Sequence, residues 1–173
     1  MRILTILIAL MLGGANLPSD LIITSKKITV SGQTSFGAFN CDYSTSGSKD
    51  TLLFNAKEEP KALVFKIPVK SFSCGNFLLN KDFRTTIKAE QYPFSEVQVT
   101  NFKYENGQIR CDLTVNLVGK RLEFPSLPLQ RCPGGLQTQL RLSFERLDLQ
   151  PPNKLGGLVK VDENLDLQIF LGI

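Results

Sequence analysis

The chain has 173 residues, 20 of them basic and 16 acidic, for a formal net charge of +4. Hydrophobic residues make up 42% and charged residues 21%, the balance of a globular chain rather than a disordered one. It contains no histidine, which excludes a Ser-His-Asp or Cys-His relay, a histidine metal site and a histidine pH switch. The basic residues are scattered, without the concentrated stripe of a nucleic-acid binder.

Residues 1–15 read as a secretory signal. Arg2 supplies the basic start, Ile3 to Leu12 is an apolar run broken only by Thr5, and Gly13-Gly14-Ala15 places small residues at the cleavage position. That run is shorter than the roughly 20 residues needed to span a bilayer. Asn16 follows where a lipoprotein would carry cysteine. The expectation is a secreted or periplasmic protein cleaved near Ala15, without stable membrane insertion, with one domain over residues 21–173.

From Ile28 onward the pattern has period two, the signature of half-buried strands. Ile28 to Phe39 forms one run, with Gly32 and Gly37 suited to bends of a curved sheet. A turn at Ser44-Thr45-Ser46-Gly47-Ser48 leads to a strand over Thr51–Ala56, and Leu63, Phe65, Ile67 and Val69 alternate with Ala62, Val64, Lys66 and Pro68, the proline marking a strand end, an edge or a bulge. Asn80 is placed to cap a helix over Lys81–Glu90, with Asp82 in its first turn, Phe83 and Ile87 on one face, and Pro93 beyond its end.

Asn106-Gly107 is a strong hairpin signal. A two-residue turn there sets Tyr104 against Ile109 but Val99 against Thr114, mixing apolar and polar residues on one face. One extra residue aligns Val99 with Leu113 and Val97 with Val115, so a β-bulge is predicted at Asn101–Phe102. A second hairpin turning at Gly119-Lys120 pairs Leu117 with Leu122 and Val115 with Phe124. Leu136 to Phe144 and Leu165 to Ile173 are the last long alternating runs, joined through Gln150-Pro151-Pro152-Asn153, Gly156-Gly157 and a short strand at Leu158–Val161.

Cys41, Cys74, Cys111 and Cys132 are even in number and include no C-x-x-C pair, which fits structural disulfides in an oxidising compartment. Four cysteines allow three connectivities, of which the local pairing Cys41–Cys74 and Cys111–Cys132 is favoured. The second bridge requires a bulge or loop near Pro125 and Pro128, because the hairpin register sets Cys111 opposite Pro128.

Searches for chemistry return little. Asp162 to Asp166 begins like a calcium loop but has Leu167 where the glycine belongs and Ile173 where the glutamate belongs. Gly134-Gly135 and Gly156-Gly157 lack a following Lys-Ser or Lys-Thr, and Glu58-Glu59 falls in a turn beside Pro60. Ser31, Ser35 and Ser71 have no histidine to activate them. No enzyme activity, cofactor or metal is expected.

The order of these segments resembles the YceI-like family of lipid- or polyisoprenoid-binding proteins. The likeness lies in Val69-Lys70-Ser71-Phe72-Ser73-Cys74-Gly75-Asn76, then Asn80-Lys81-Asp82-Phe83 and Gln91-Tyr92-Pro93, then Cys111-Asp112-Leu113-Thr114-Val115, and last Gln150-Pro151-Pro152 with Gly156 to Val161. Asn116-Leu117 stands where the family often has His-Gly, and the four cysteines are additional. The resemblance implies an all-β fold: a single extended antiparallel lipocalin-like barrel of about eight strands with one short α-helix. It also implies an isoprenoid or other long-chain lipid as partner. Alternation and the resemblance together put Leu113, Val115, Leu140, Leu142, Leu167 and Ile169 on one wall of an apolar bore, with Phe65 and Ile67 opposite. An eight-stranded bore can hold a small ligand or be filled by side chains. The alternative is therefore a filled barrel that acts through its surface in the cell envelope.

Overall fold

The computed structural model describes residues 20–53, 62–152 and 160–173. The expected signal at residues 1–15, Glu58-Glu59 and Gly156-Gly157 lie outside these. Strands β1 (Asp20–Thr34), β2 (Gly37–Leu53), β3 (Leu63–Pro68), β4 (Phe94–Glu105), β5 (Gln108–Leu117), β6 (Lys120–Cys132), β7 (Gly135–Ser143) and β8 (Asn164–Gly172) form one antiparallel sheet. Its order is β2-β1-β8-β7-β6-β5-β4-β3, and helix α1 (Phe77–Thr86) lies between β3 and β4. The sheet curls around one apolar core, with inward residues buried at alternate positions of β3, β5, β7 and β8.

No ladder joins the edge strands β2 and β3 among the described residues. Asp42 of β2 and Ser73 exchange two backbone hydrogen bonds of 2.9 Å, and the neighbouring Cys41–Cys74 disulfide crosses the same seam. A local stitch thus stands where the closed ladder of a full barrel would be.

The predicted bulge is present. Glu96 to Thr100 pair with Asn116 to Asp112, then the register shifts so that Lys103 faces Arg110. Asn101 takes φ 52°, in the left-handed region that asparagine tolerates, and Phe102 turns inward to be buried.

Five expectations are corrected. The run Ile28–Phe39 is broken by a turn at Ser35-Phe36, and the Ser44–Ser48 segment is no turn but lies within β2. The register between Ile23 and Ser25 shifts there, with Gly47 at φ 84° absorbing the irregularity. The β5–β6 hairpin turns at Val118-Gly119, not Gly119-Lys120: Leu117 pairs with Lys120 and Val115 with Leu122. Both turn residues have positive φ (52° and 72°), which a two-residue primed turn requires and which glycine serves best at its second position. Each pairing moves by two residues, so every side chain keeps its face.

Helix α1 begins one turn earlier than Lys81. Asn76 caps it by accepting the Leu79 N–H at 2.9 Å, whereas Asn80 lies inside the helix and accepts the Cys74 N–H at 2.7 Å. Finally, Cys111 and Cys132 are free. A second bulge, near Ser126, sets Cys111 opposite Leu127, still five residues along β6 from Cys132. At about 3.3 Å per residue that distance is far beyond disulfide reach.

Candidate functional site

The two ends of the barrel are packed differently. At one end Ile23, Leu52, Leu136, Leu171 and Val99 belong to the core and have almost no exposure. At the other, where β1 turns into β2, an apolar cavity of about 100 Å³ opens beside α1. Val30, Phe39, Leu79, Phe83, Ile87 and Leu165 form its walls, with Phe144 and Val161 beside them and Thr34, Asp82 and Thr86 as its polar members. A second space of about 50 Å³ lies against it and shares Val30, Phe83, Ile87 and Leu165. Ser95 is the one hydroxyl among the residues that line this second space.

Helix α1 supplies one wall because Leu79, Phe83 and Ile87 recur at four-residue spacing. Its hold on the barrel is light. None of its ten residues is fully buried, and Phe83 rests on Phe72 with ring centroids 5.3 Å apart. Phe72 in turn meets Tyr43 at 5.7 Å, close to the Asp42–Ser73 stitch.

Gly32 shapes the opposite wall. It pairs with Phe39 across the β1–β2 ladder, and a Cβ at Gly32 would lie 2.5 Å from the Phe39 ring. Only glycine lets that ring fold back over β1, leaving the mouth open.

All eight residues expected to line a bore are buried and point inward. Ile67, Val115, Leu142 and Leu167 line the deeper space. Phe65 and Ile169, again with Ile67, border a separate slot of about 120 Å³ at the β2–β3 seam, where the Lys26 ammonium sits 4.1 Å from the Phe65 ring centroid and pairs with Asp50. Leu113 and Leu140 line neither of these spaces. The interior is therefore a cavity at the mouth above a packed core, not one continuous bore. Sequence reasoning missed Val30, Phe39, Leu79, Phe144, Leu147 and Leu149 as lining residues. The Phe83–Ile87 spacing was the one signal for the helix wall.

Electrostatics are mild, and the shifted groups Cys111 and Asp112 line none of these spaces. Burial pushes the Cys111 thiol up to about 12, so it stays protonated and unreactive. Asp112 is held below the usual carboxylate range, first by the Ser126 backbone N–H and then by the Asn101 amide. Among the described residues no cluster of His, Cys, Asp or Glu could hold a metal, and no helix is long and apolar enough to cross a membrane.

No family model matches the sequence, and no curated protein sequence matches it. Solved structures do. A polyisoprenoid-binding domain from Saccharophagus degradans implicated in plant cell wall breakdown superposes with TM-score 0.58 at 11% identity, covering 90% of this chain and 99% of that one. Burkholderia cenocepacia BcnA gives 0.50 at 13% identity over 85% and 94% of the two chains. A Campylobacter jejuni YceI protein gives 0.50 at 13% identity over 66% and 72%. The chain has the YceI fold. In this version of the YceI fold, a disulfide ties the seam beside the cavity mouth.

Proposed function

We propose that this chain is an exported, non-enzymatic member of the YceI-like family that holds the end of a lipid or polyisoprenoid chain at the mouth of its barrel. The observation that carries this reading is the pair of adjoining apolar spaces walled on one side by a helix with no fully buried residue. An apolar chain gains roughly 25 cal/mol for each Å² it buries and needs no ionised partner inside. Ligand pockets commonly span about 300–1,000 Å³, so a long chain must displace Phe83 and lift α1 to enter. The polyisoprenoid-binding description of the Saccharophagus degradans domain supports the ligand class. The Cys41–Cys74 disulfide supports an oxidising compartment.

The small volume of the cavity favours a second reading, a barrel filled by its own side chains that acts through its surface. Organic extraction of protein purified without detergent from exporting cells, followed by mass spectrometry, separates the two. Wild type and Arg141→Glu should release a long-chain lipid, since Arg141 is exposed and only pairs with Asp166 at 3.0 Å. Leu142→Glu, which puts a charge against the deeper space, should release none while keeping its β-sheet circular dichroism. Release of no lipid from wild type, or equal retention by both folded variants, establishes the filled barrel instead.

A further inference from the structure

Helix α1 has a second face, turned away from the cavity. Among the described residues the three most exposed large apolar side chains are Phe77 (83%), Phe36 (76%) and Leu78 (62%). All three belong to the mouth end. Phe77 and Leu78 open α1, and Phe36 lies two residues beyond Thr34, which lines the mouth. Lys81 and Arg84 follow Phe77 at helical spacing, and Lys88 completes the same shallow groove. Three acidic residues lie near this face. Glu90 is taken by Lys70 at 2.9 Å, Asp82 lines the cavity mouth, and Asp148, which borders a groove with Lys81 and Lys88, is taken by Lys120 at 3.6 Å. Arg84 donates to the Lys70 carbonyl at 2.8 Å, whereas Lys81 and Lys88 are exposed and carry no ion pair among the described residues.

We propose that this rim is a membrane-docking surface: Phe36, Phe77 and Leu78 enter the headgroup boundary of an anionic bilayer while Lys81 and Lys88 meet its lipid phosphates. Exposed aromatic and leucine side chains flanked by lysines are what an interfacial helix presents. The unpaired cations select an anionic surface over a neutral one. Docking would set the cavity mouth against the lipid phase, so the proposal extends the apolar-chain reading without depending on it.

The test is co-sedimentation of the full chain with vesicles of phosphatidylcholine alone or mixed with phosphatidylglycerol. Wild type should bind the mixed vesicles, more weakly as salt rises, and bind the neutral ones poorly. The double variant Lys81→Gln/Lys88→Gln should lose roughly thirty-fold in partitioning, the product of two surface charges. Phe77→Ser/Leu78→Ser should lose about tenfold or more. Both pairs are solvent-exposed, so thermal melts and the lipid recovered by organic extraction should not change, which keeps a failure of docking distinct from a failure of ligand binding. Wild type that ignores mixed vesicles, or variants that bind them like wild type, overturns the proposal. A concentration-dependent dimer in size-exclusion chromatography that Phe77→Ser/Leu78→Ser abolishes would assign the face to a second copy and overturn it as well.

Discussion

The packed end and the mouth end are built from the same strands but stabilised by different means. At the packed end side chains from β1, β7 and β8 are almost wholly buried, and Ile23 and Leu136 are fully enclosed. At the mouth a disulfide, a pair of backbone hydrogen bonds and a lightly seated helix take the place of close packing. Stability and adaptability are thus divided along one barrel. If the mouth admits an apolar chain, as proposed, it cannot also be packed at crystal density, and its order is supplied by covalent and hydrogen-bonded ties.

Substitution at the two ends should expose this division. Leu136→Ala removes a side chain with no solvent contact and should cost about 3–5 kcal/mol in urea unfolding. Phe83→Ala, at a half-buried position facing a cavity, should cost less than about 2 kcal/mol despite the larger side chain. Equal losses would erase the contrast.

The disulfide comes next. Cys41→Ala/Cys74→Ala opens a loop with a sequence separation of 33, worth roughly 3–4 kcal/mol in the chain-entropy account. Native-state hydrogen exchange should then quicken in α1 and around Asp42, while Leu136 and Leu171 amides stay protected relative to the global limit. In the unmodified protein, denaturation without reductant should reveal two reactive thiols, Cys111 and Cys132, and in the native state Cys111 should resist alkylation.

The smallest effect concerns Asp112, which braces the bulges at Asn101 and Ser126. Asp112→Asn should cost under about 1 kcal/mol near neutral pH. Because the folded carboxyl sits below its ordinary value, its contribution is present above the unfolded pKa of about 4. It is lost as pH falls through the folded value, so wild type and variant should converge in acid.

Strand faces and the Asn101 bulge were legible because one buried face makes register errors costly, and only a bulge reconciles Val97 and Val99 with Val115 and Leu113. The β5–β6 turn was misplaced by one residue because a shift of two in pairing leaves every face unchanged. The start of α1 was ambiguous because Asn76 and Asn80 carry the same capping chemistry one turn apart, and tertiary contact with Cys74 decides between them. The mouth was hidden for a different reason. It depends on Gly32 admitting the Phe39 ring across the β1–β2 hairpin and on the long-range folding of α1 over β1 and β8, neither of which periodicity encodes.

The central claim, that an apolar chain is held at the mouth and excluded from the packed end, is open to one direct measurement. The chain contains no tryptophan, so single tryptophans can be placed as reporters by Phe83→Trp at the mouth and Phe102→Trp in the opposite half. Titration with a brominated long-chain lipid should quench Trp fluorescence strongly in the Phe83→Trp protein and leave the Phe102→Trp protein nearly unquenched. Equal quenching in both, or none in the Phe83→Trp protein while it remains folded, would contradict the account.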